Sequence, residues 1–218
     1  EALRARAAER GLGLASVLVA ALNRVLASRA PRRPFTTVVA LASRDVVAAD
    51  APWAIGDFTS FSWVTAGLEP WTFSRQAAAV ATTLAADLEH RRASPIEALR
   101  RAGKGRPGHD DAHRVVLTLC LSDPPLDWPA GAVWGDGVAL TPGVDVDCYV
   151  HNLGGRLNVH WDYRPSALDD GVAMDMFTRY LQLLEHLAVA EEAWDASWTS
   201  GSESLSESLV SSRQEGWR

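Results

Sequence analysis

A two-layer α+β (or α/β) sandwich, a mixed sheet covered by helices, is the fold class this sequence predicts, and three observations carry it. Val17, Leu18, Ala21, Leu22, Val25 and Leu26 recur at helical spacing and form one apolar stripe. Phe35–Leu41 and Arg114–Leu121 are apolar, β-branched runs of strand length. Val144–His151 alternates apolar and polar residues ahead of a glycine pair, as a half-buried hairpin strand does. With 218 residues and 47% hydrophobic content, the chain suits one compact domain or one lobe of a larger one.

The elements follow in order. Glu1–Arg10 reads as a helix that breaks at Gly11 and Gly13, and Ala15–Ala27 as a second helix that Pro31 and Pro34 stop. Phe35–Leu41 is the first strand and the aromatic-rich Ile55–Val64 the next. Thr72 can cap a helix whose Phe73, Ala77, Val80, Leu84 and Leu88 share one face. Ser94-Pro95-Ile96-Glu97 is a capping box with proline at the first helical position, so another helix starts there. Gly103–Asp111 is loop, Arg114–Leu121 a buried strand, and Ser122–Pro129 a second loop.

In the hairpin, Val144, Val146, Cys148 and Val150 face one side while Asp145, Asp147, Tyr149 and His151 face the other. Asn152–Gly155 supplies the turn, and Leu157, Val159 and Trp161 oppose Asn158, His160 and Asp162 on the return. Asp170 starts a long helix with Val172, Met176, Phe177, Tyr180, Leu181, Leu184 and Leu187 toward the core. Residues 1–198 thus form the folded lobe, and the Ser/Glu-rich 199–218 a linker or tail.

Charge and cysteine content exclude several classes. A net charge of −6 argues against a nucleic-acid partner, which would call for a basic excess. Cys120 and Cys148 each lie in an apolar strand and read as buried free thiols. No secretory signal opens the chain, and the apolar stretch Leu12–Leu26 is too short and interrupted to span a membrane, so a cytoplasmic location is expected. Because the first residue is Glu1, the chain is read as cut from a longer polypeptide or trimmed.

Most constellations carry no chemistry. His109 and His113 stand at metal-ligand spacing for a helix but lie between a Gly/Pro loop and a strand, so no metal site is expected. Gly103-Lys104-Gly105-Arg106 lacks phosphate-loop spacing, and there is no G-x-S-x-G elbow. Trp63, Trp71 and Trp134 are candidates for lining a channel. The cations Arg91, Arg92, Arg100, Arg101, Lys104 and Arg106 form a solvated helix face or a docking patch for an acidic protein.

Several short motifs carry a more specific signal. Gly56-Asp57-Phe58-Thr59-Ser60 resembles the GDFTxL motif of the heterocyclization domains of nonribosomal peptide synthetases. Arg114–Leu121 resembles their PVVFTSxL strand, and Thr141-Pro142-Gly143-Val144-Asp145-Val146-Asp147 resembles TPQVxLD, followed by Trp161-Asp162 as the closing WD. The order is the family's, over about residues 12–195. The departures are Gly143 for the motif glutamine and Leu119 for the serine after the motif threonine. The N-terminal half of such a domain, with its DxxxxD motif, is not in this sequence; Asp45 and Asp50 have that spacing in the wrong half.

The resemblance implies the C-terminal lobe of a chloramphenicol-acetyltransferase-like pair, set against an N-terminal lobe. Acyl substrates would ride on phosphopantetheine arms of carrier proteins, with no cofactor or metal bound by the lobe itself. The reaction it implies is amide formation followed by cyclodehydration of a Ser, Thr or Cys side chain to an oxazoline or thiazoline. Asp147 and Thr118 inherit the catalytic roles, with the Thr118 hydroxyl expected to steady the Asp147 carboxylate. Asp145, two residues before Asp147, is expected to raise the pKa of one of the two. Asp57, Thr59, Ser60, Gly143 and Asp145 are candidates for positioning substrate, whereas Asp162 reads as a structural hydrogen-bonder. Two alternatives stay open: an ordinary condensation lobe without cyclisation, and a non-catalytic lobe that binds carrier proteins or a partner subunit.

Overall fold

A computed structural model of the chain describes residues 1–29, 35–42, 55, 58–66, 69, 71–90, 97, 101, 114–121, 131 and 141–197. Helix α1 (Ala2–Glu9) ends just before Gly11, whose φ of +66° suits glycine, and the chain bends by 99° into α2 (Leu14–Arg29). The sequence reads α2 as amphipathic, with one buried stripe. Instead every residue from Ser16 to Ala27 is buried. The helix is enclosed by α1, the sheet and two later helices, and its alanines let those neighbours approach closely.

The polar groups of α2 are accordingly satisfied inside the protein. Ser16 donates to the Gly13 carbonyl at 2.8 Å, and Thr37 donates to Asn23 Oδ1 at 2.6 Å. Arg24 donates through Nε to Gln76 Oε1 at 2.9 Å and through Nη2 to the Trp71 carbonyl at 3.2 Å. Its guanidinium lies 5.2 Å from the Phe73 ring centroid, and burial lowers its pKa to about 10.

Five strands form one mixed sheet: β1 (Phe35–Ala42), β2 (Thr59–Ala66), β3 (Val115–Cys120), β4 (Val146–Leu153) and β5 (Arg156–Tyr163). Their order is β2-β1-β3-β4-β5, with β1–β3 and β3–β4 parallel and the two outer pairs antiparallel. Gly154 and Gly155, at φ +59° and +72°, make the two-residue turn between β4 and β5, a geometry with left-handed residues at both centres. Cross-strand partners share a face. One face therefore carries Val39, Val64, Leu117, Cys148, Val150 and Trp161 into the core beneath the helices. The other carries Val38, Thr118, Cys120, Asp147, Tyr149, His151, His160 and Asp162.

Helix α3 (Phe73–Glu89) begins as the sequence predicts, with Thr72 Oγ1 accepting from the Arg75 amide at 3.3 Å. Phe73, Ala77, Val80 and Leu84 are buried, but Leu88, the last but one residue of the helix, is exposed. Helix α4 (Asp170–Val189) buries Ala173, Met176, Tyr180, Leu183, Leu184 and Leu187. Tyr180 is fully buried and donates to the Leu18 carbonyl at 3.3 Å, tying α4 to α2. The short α5 (Glu192–Asp195) plugs the end of this layer with Trp194, fully buried, edge-on to Phe73 at 5.4 Å, and donating to the Leu187 carbonyl at 2.9 Å.

Several expectations shift. The second strand starts at Thr59 rather than Ile55, which is fully exposed, and it continues to Ala66. The third strand is buried on one face only, at Leu117, so Cys120 at its end is exposed while Cys148 is the buried thiol. Of the helix expected from Ser94, Glu97 and Arg101 are described; both are helical and paired at 3.0 Å. The His109–His113 segment, Asp45–Asp50, Trp134, Gly56, Asp57, the other cations of the basic run and the 199–218 tail lie outside the described residues.

Candidate functional site

The site is built where β4 leaves its preceding loop. Thr141-Pro142-Gly143-Val144 forms a turn in which the Val144 amide donates to the Thr141 carbonyl at 3.1 Å. Proline at the second position and glycine with φ +82° at the third are what a type II turn requires. Gly143 therefore has a backbone role, since most side chains there would be strained. The turn brings the Thr141 side chain back over β4.

Asp145 then anchors the strand. Its carboxylate is held by Arg114, just before β3, and by Arg164, just after β5. Backbone bonds double both links: the Asp145 amide donates to the Arg114 carbonyl at 2.7 Å and the Arg164 amide to the Asp145 carbonyl at 2.9 Å. With two guanidiniums on it, Asp145 is a clamp for three strand ends. It is not the like-charge neighbour of Asp147 that the i+2 spacing suggests.

That neighbour is Asp162. In the antiparallel register Asp147 lies directly opposite Asp162, on the face away from the helices. Asp147 is 4% exposed. Its Oδ2 accepts from Thr141 Oγ1 at 3.1 Å and from the Tyr149 hydroxyl at 3.2 Å, while Oδ1 is buried with no hydrogen-bond partner. Burial raises the carboxyl pKa, the Thr141 and Tyr149 hydrogen bonds pull it back, and the Asp162 charge raises it again. Tyr149 is in turn pushed up to about 12 by burial and by the Asp147 charge, so it remains a donor.

Thr118 shares this face on the neighbouring strand, in register with Tyr149. It is not among the donors to Asp147, so the expected Thr118–Asp147 bond is replaced by those from Thr141 and Tyr149. Leu119 points to the other face and packs on the core, which explains an apolar residue there. Farther along, His151 and His160 stack with ring centroids 5.1 Å apart, and burial and His160 both lower the His151 pKa. Thr59 opens β2 and is exposed, and Ser60 is buried. Three strand spacings, roughly 14 Å, separate β2 from β4, so neither reaches Asp147.

An open depression of ≈ 800 Å³, mouth included, gives access to the cluster and is lined by Thr141, Gly143, Asp145, Asp147, Asp162 and Arg164 among others. A second depression, ≈ 530 Å³ with its mouth included, is lined by Arg24, Trp71 and Gln76 and lies between α2, α3 and β2. Trp71 lines that second depression; Trp63 is half-buried on β2. Sequence reasoning missed Thr141, Tyr149 and Asp162 as parts of the site. The alternation of β4 already puts Tyr149 beside Asp147, and the Gly-Gly turn length sets Asp162 opposite it.

Chemically, the cluster is a buried carboxyl that holds a proton more readily than a free one. One oxygen is restrained by two hydroxyls and the other is unengaged. Such a group can take a proton from a nucleophile and return it to a leaving oxygen. Among the described residues no group of three side chains is arranged to hold a metal ion.

No family profile matches the chain. Among curated proteins it is 28% identical over 204 residues to pyochelin synthetase PchF of Pseudomonas aeruginosa, covering 89% of this chain and 11% of that protein. It is 31% identical over 201 residues to phenyloxazoline synthase MbtB of Mycobacterium tuberculosis, covering 90% of this chain and 14% of that protein. The chain thus spans a small part of both. Among solved structures it superposes on the nonribosomal peptide synthetase FmoA3 with a TM-score of 0.77 and 28% identity, over 91% of this chain and 23% of that one. The cyclization-docking bidomain of EpoB from Sorangium cellulosum gives 0.71 at 24% identity, over 89% and 40%. The first condensation domain of the CDA synthetase gives 0.67 at 19% identity, over 92% and 44%. The last two likenesses are of fold.

Proposed function

The chain is a C-terminal condensation-domain lobe of the nonribosomal peptide synthetase family, and from that premise we propose that it serves heterocyclization, with Asp147 as the proton-transferring group. The observation that carries this reading is the state of the Asp147 carboxyl: buried, opposite Asp162, and with one oxygen left unengaged. The name of one relative, a phenyloxazoline synthase, supports the choice of cyclisation over plain condensation.

In this reading two acyl groups, each tethered by phosphopantetheine to a carrier protein, are first joined as an amide. The side chain of the downstream Ser, Thr or Cys then adds to the amide carbonyl carbon. A bond forms from its oxygen or sulfur to that carbon, the carbonyl π pair moves to oxygen, and the nucleophile's proton passes to Asp147. Asp147 returns that proton to the carbonyl-derived oxygen. The oxygen departs as water, its second proton coming from the amide nitrogen as the C=N bond forms. Thr118, on the same face but not bonded to Asp147, acts on the substrate in this scheme. Gly143 and Asp145 act by shaping the segment that carries Asp147, whereas Thr59 and Ser60, at the start of β2, stand three strands away from it. A facing N-terminal lobe and a cytoplasmic setting complete the proposal.

The test is intact-mass measurement of the carrier-bound product in a complete synthetase module containing this lobe, wild type against Asp147→Asn. A dehydrated, cyclised product from the wild type and a linear amide from the variant support the reading. Linear amide from both overturns it in favour of plain condensation. No product from either overturns it in favour of a lobe that only binds.

A further inference from the structure

We infer that Tyr149 is a positioning residue for Asp147: together with Thr141 it holds Oδ2, and so fixes the orientation of the carboxyl that exchanges the proton. The inference rests on the cyclisation reading for its purpose, but its geometry stands independently. Two hydroxyls donate to the same oxygen, at 3.1 and 3.2 Å, and neither to the other. Oδ1 is buried without a hydrogen-bond partner, an expensive arrangement for a carboxylate and an unusual one in a folded protein. Donors on Oδ2 draw negative charge there and lower its basicity. Together they hold the carboxyl in one orientation and favour its ionised form.

The surroundings contain few other groups able to do this. From β5, Asp162 faces Asp147, with His160 two residues along. From β3, Val116 is the direct partner, with Thr118 and Cys120 beyond it. On β4 itself are Tyr149 and His151, and from the preceding segment Thr141 and Asp145, the latter neutralised by Arg114 and Arg164. Tyr149 and Thr141 are the neutral donors that reach the carboxyl. Because the phenol pKa is pushed up to about 12, Tyr149 keeps its proton wherever Asp147 titrates. It can neither compete for the substrate's proton nor lose its grip as pH changes.

Fixing one oxygen also fixes the orientation of the group. A carboxyl free to rotate would offer either oxygen, and the proton taken from the nucleophile could leave away from the departing hydroxyl. Held through Oδ2, the carboxyl keeps one orientation through both transfers, as one acid–base serving two successive steps requires.

The experiment follows the Asp147 carboxyl carbon by carbon-13 NMR as a function of pH in the full chain, comparing wild type, Tyr149→Phe, Thr141→Val and the double variant. Each removes a hydrogen bond that favours the ionised form, so each should raise the titration midpoint, and the double variant should raise it most. The acidic limb of the cyclisation pH profile in the complete module should move in the same direction. An unchanged midpoint in Tyr149→Phe, with the fold intact by near-ultraviolet circular dichroism, overturns the inference. Should Tyr149→Phe fail to fold, Thr141→Val carries the same test. A raised midpoint alongside a module that makes only linear amide keeps Tyr149 as a positioning residue and removes the cyclisation reading. Cyclised product with unmoved midpoints does the reverse.

Discussion

Asp147 and Asp162 are paired residue to residue across an antiparallel hairpin, two carboxyls on one face of the sheet and one of them buried. Directly opposed like charges destabilise a strand pair. Burial and Asp162 both raise the Asp147 pKa against the lowering effect of its two hydroxyl donors. A carboxyl whose folded pKa lies above its unfolded value binds its proton more tightly in the folded state. Its contribution to stability is then fully present below the unfolded value, about 3.9, and is lost as pH rises through the folded value. Asp147→Asn should therefore have a higher Tm than wild type at pH 7, with the gain fading toward pH 3. A variant less stable than wild type at both pH values would contradict this.

Gly143 is the next point of leverage. At φ +82° any side chain pays for a left-handed conformation, about 1–2 kcal/mol. Gly143→Ala should lower Tm by a few degrees, and Gly143→Asn by less, because asparagine tolerates that region better. Equal losses for the two would argue against the type II turn. The same strain would shift Thr141, so Gly143→Ala should also change the Asp147 titration.

For the Asp145 clamp, one removal should cost more than the other. Arg114 and Arg164 are each 44% exposed, so deleting one leaves a partly solvated pair, and Arg164→Met should cost about 1 kcal/mol or less. Asp145→Ala strips both guanidiniums of their acceptor and should cost about 1–3 kcal/mol. Urea unfolding of the two variants, compared at equal m-value, measures the difference. A clamp in which both variants cost the same would not be holding three strand ends through one carboxylate.

The two thiols should separate cleanly by reactivity. Cys120 is exposed at the end of β3, whereas Cys148 is buried, and burial and the Asp147 charge raise its pKa. Iodoacetamide under native conditions should give one adduct, on Cys120, and a second on denaturation, read by intact mass and peptide mapping. Prompt labelling of Cys148 would mean that the sheet opens at β4.

Much of this architecture is legible in the residues, for reasons that differ by element. Thr72 announces α3 because capping is a local hydrogen bond, and Val146, Cys148 and Val150 announce β4 because a strand alternates strictly. Burial of α2 on all sides is not legible in the same way: Ala20 and Ala21 are compatible with a surface or a core, and only the arrival of α4 and the sheet decides. Asp147 stands out by its place in the alternation. Its partners do not, since Thr141 reaches it through the fold of a turn and Asp162 through pairing with a strand later in the chain. Asp145 misleads for a related reason. Its proximity in sequence suggests repulsion, while Arg114 and Arg164, far along the chain, make it a clamp.

The Gly154-Gly155 turn has a wider meaning than the reversal of a chain. Asp147 and Asp162 stand equally far along the chain from it, so the turn acts as a ruler that sets which residue faces the working carboxyl. One residue inserted there would slip the register, turn the Asp162 side chain to the opposite face, and leave Asp147 beside a different neighbour. The acidity of the site is therefore written partly in the length of a two-glycine loop with no reactive atoms of its own. Loop length at that point offers a way to tune the carboxyl without touching it.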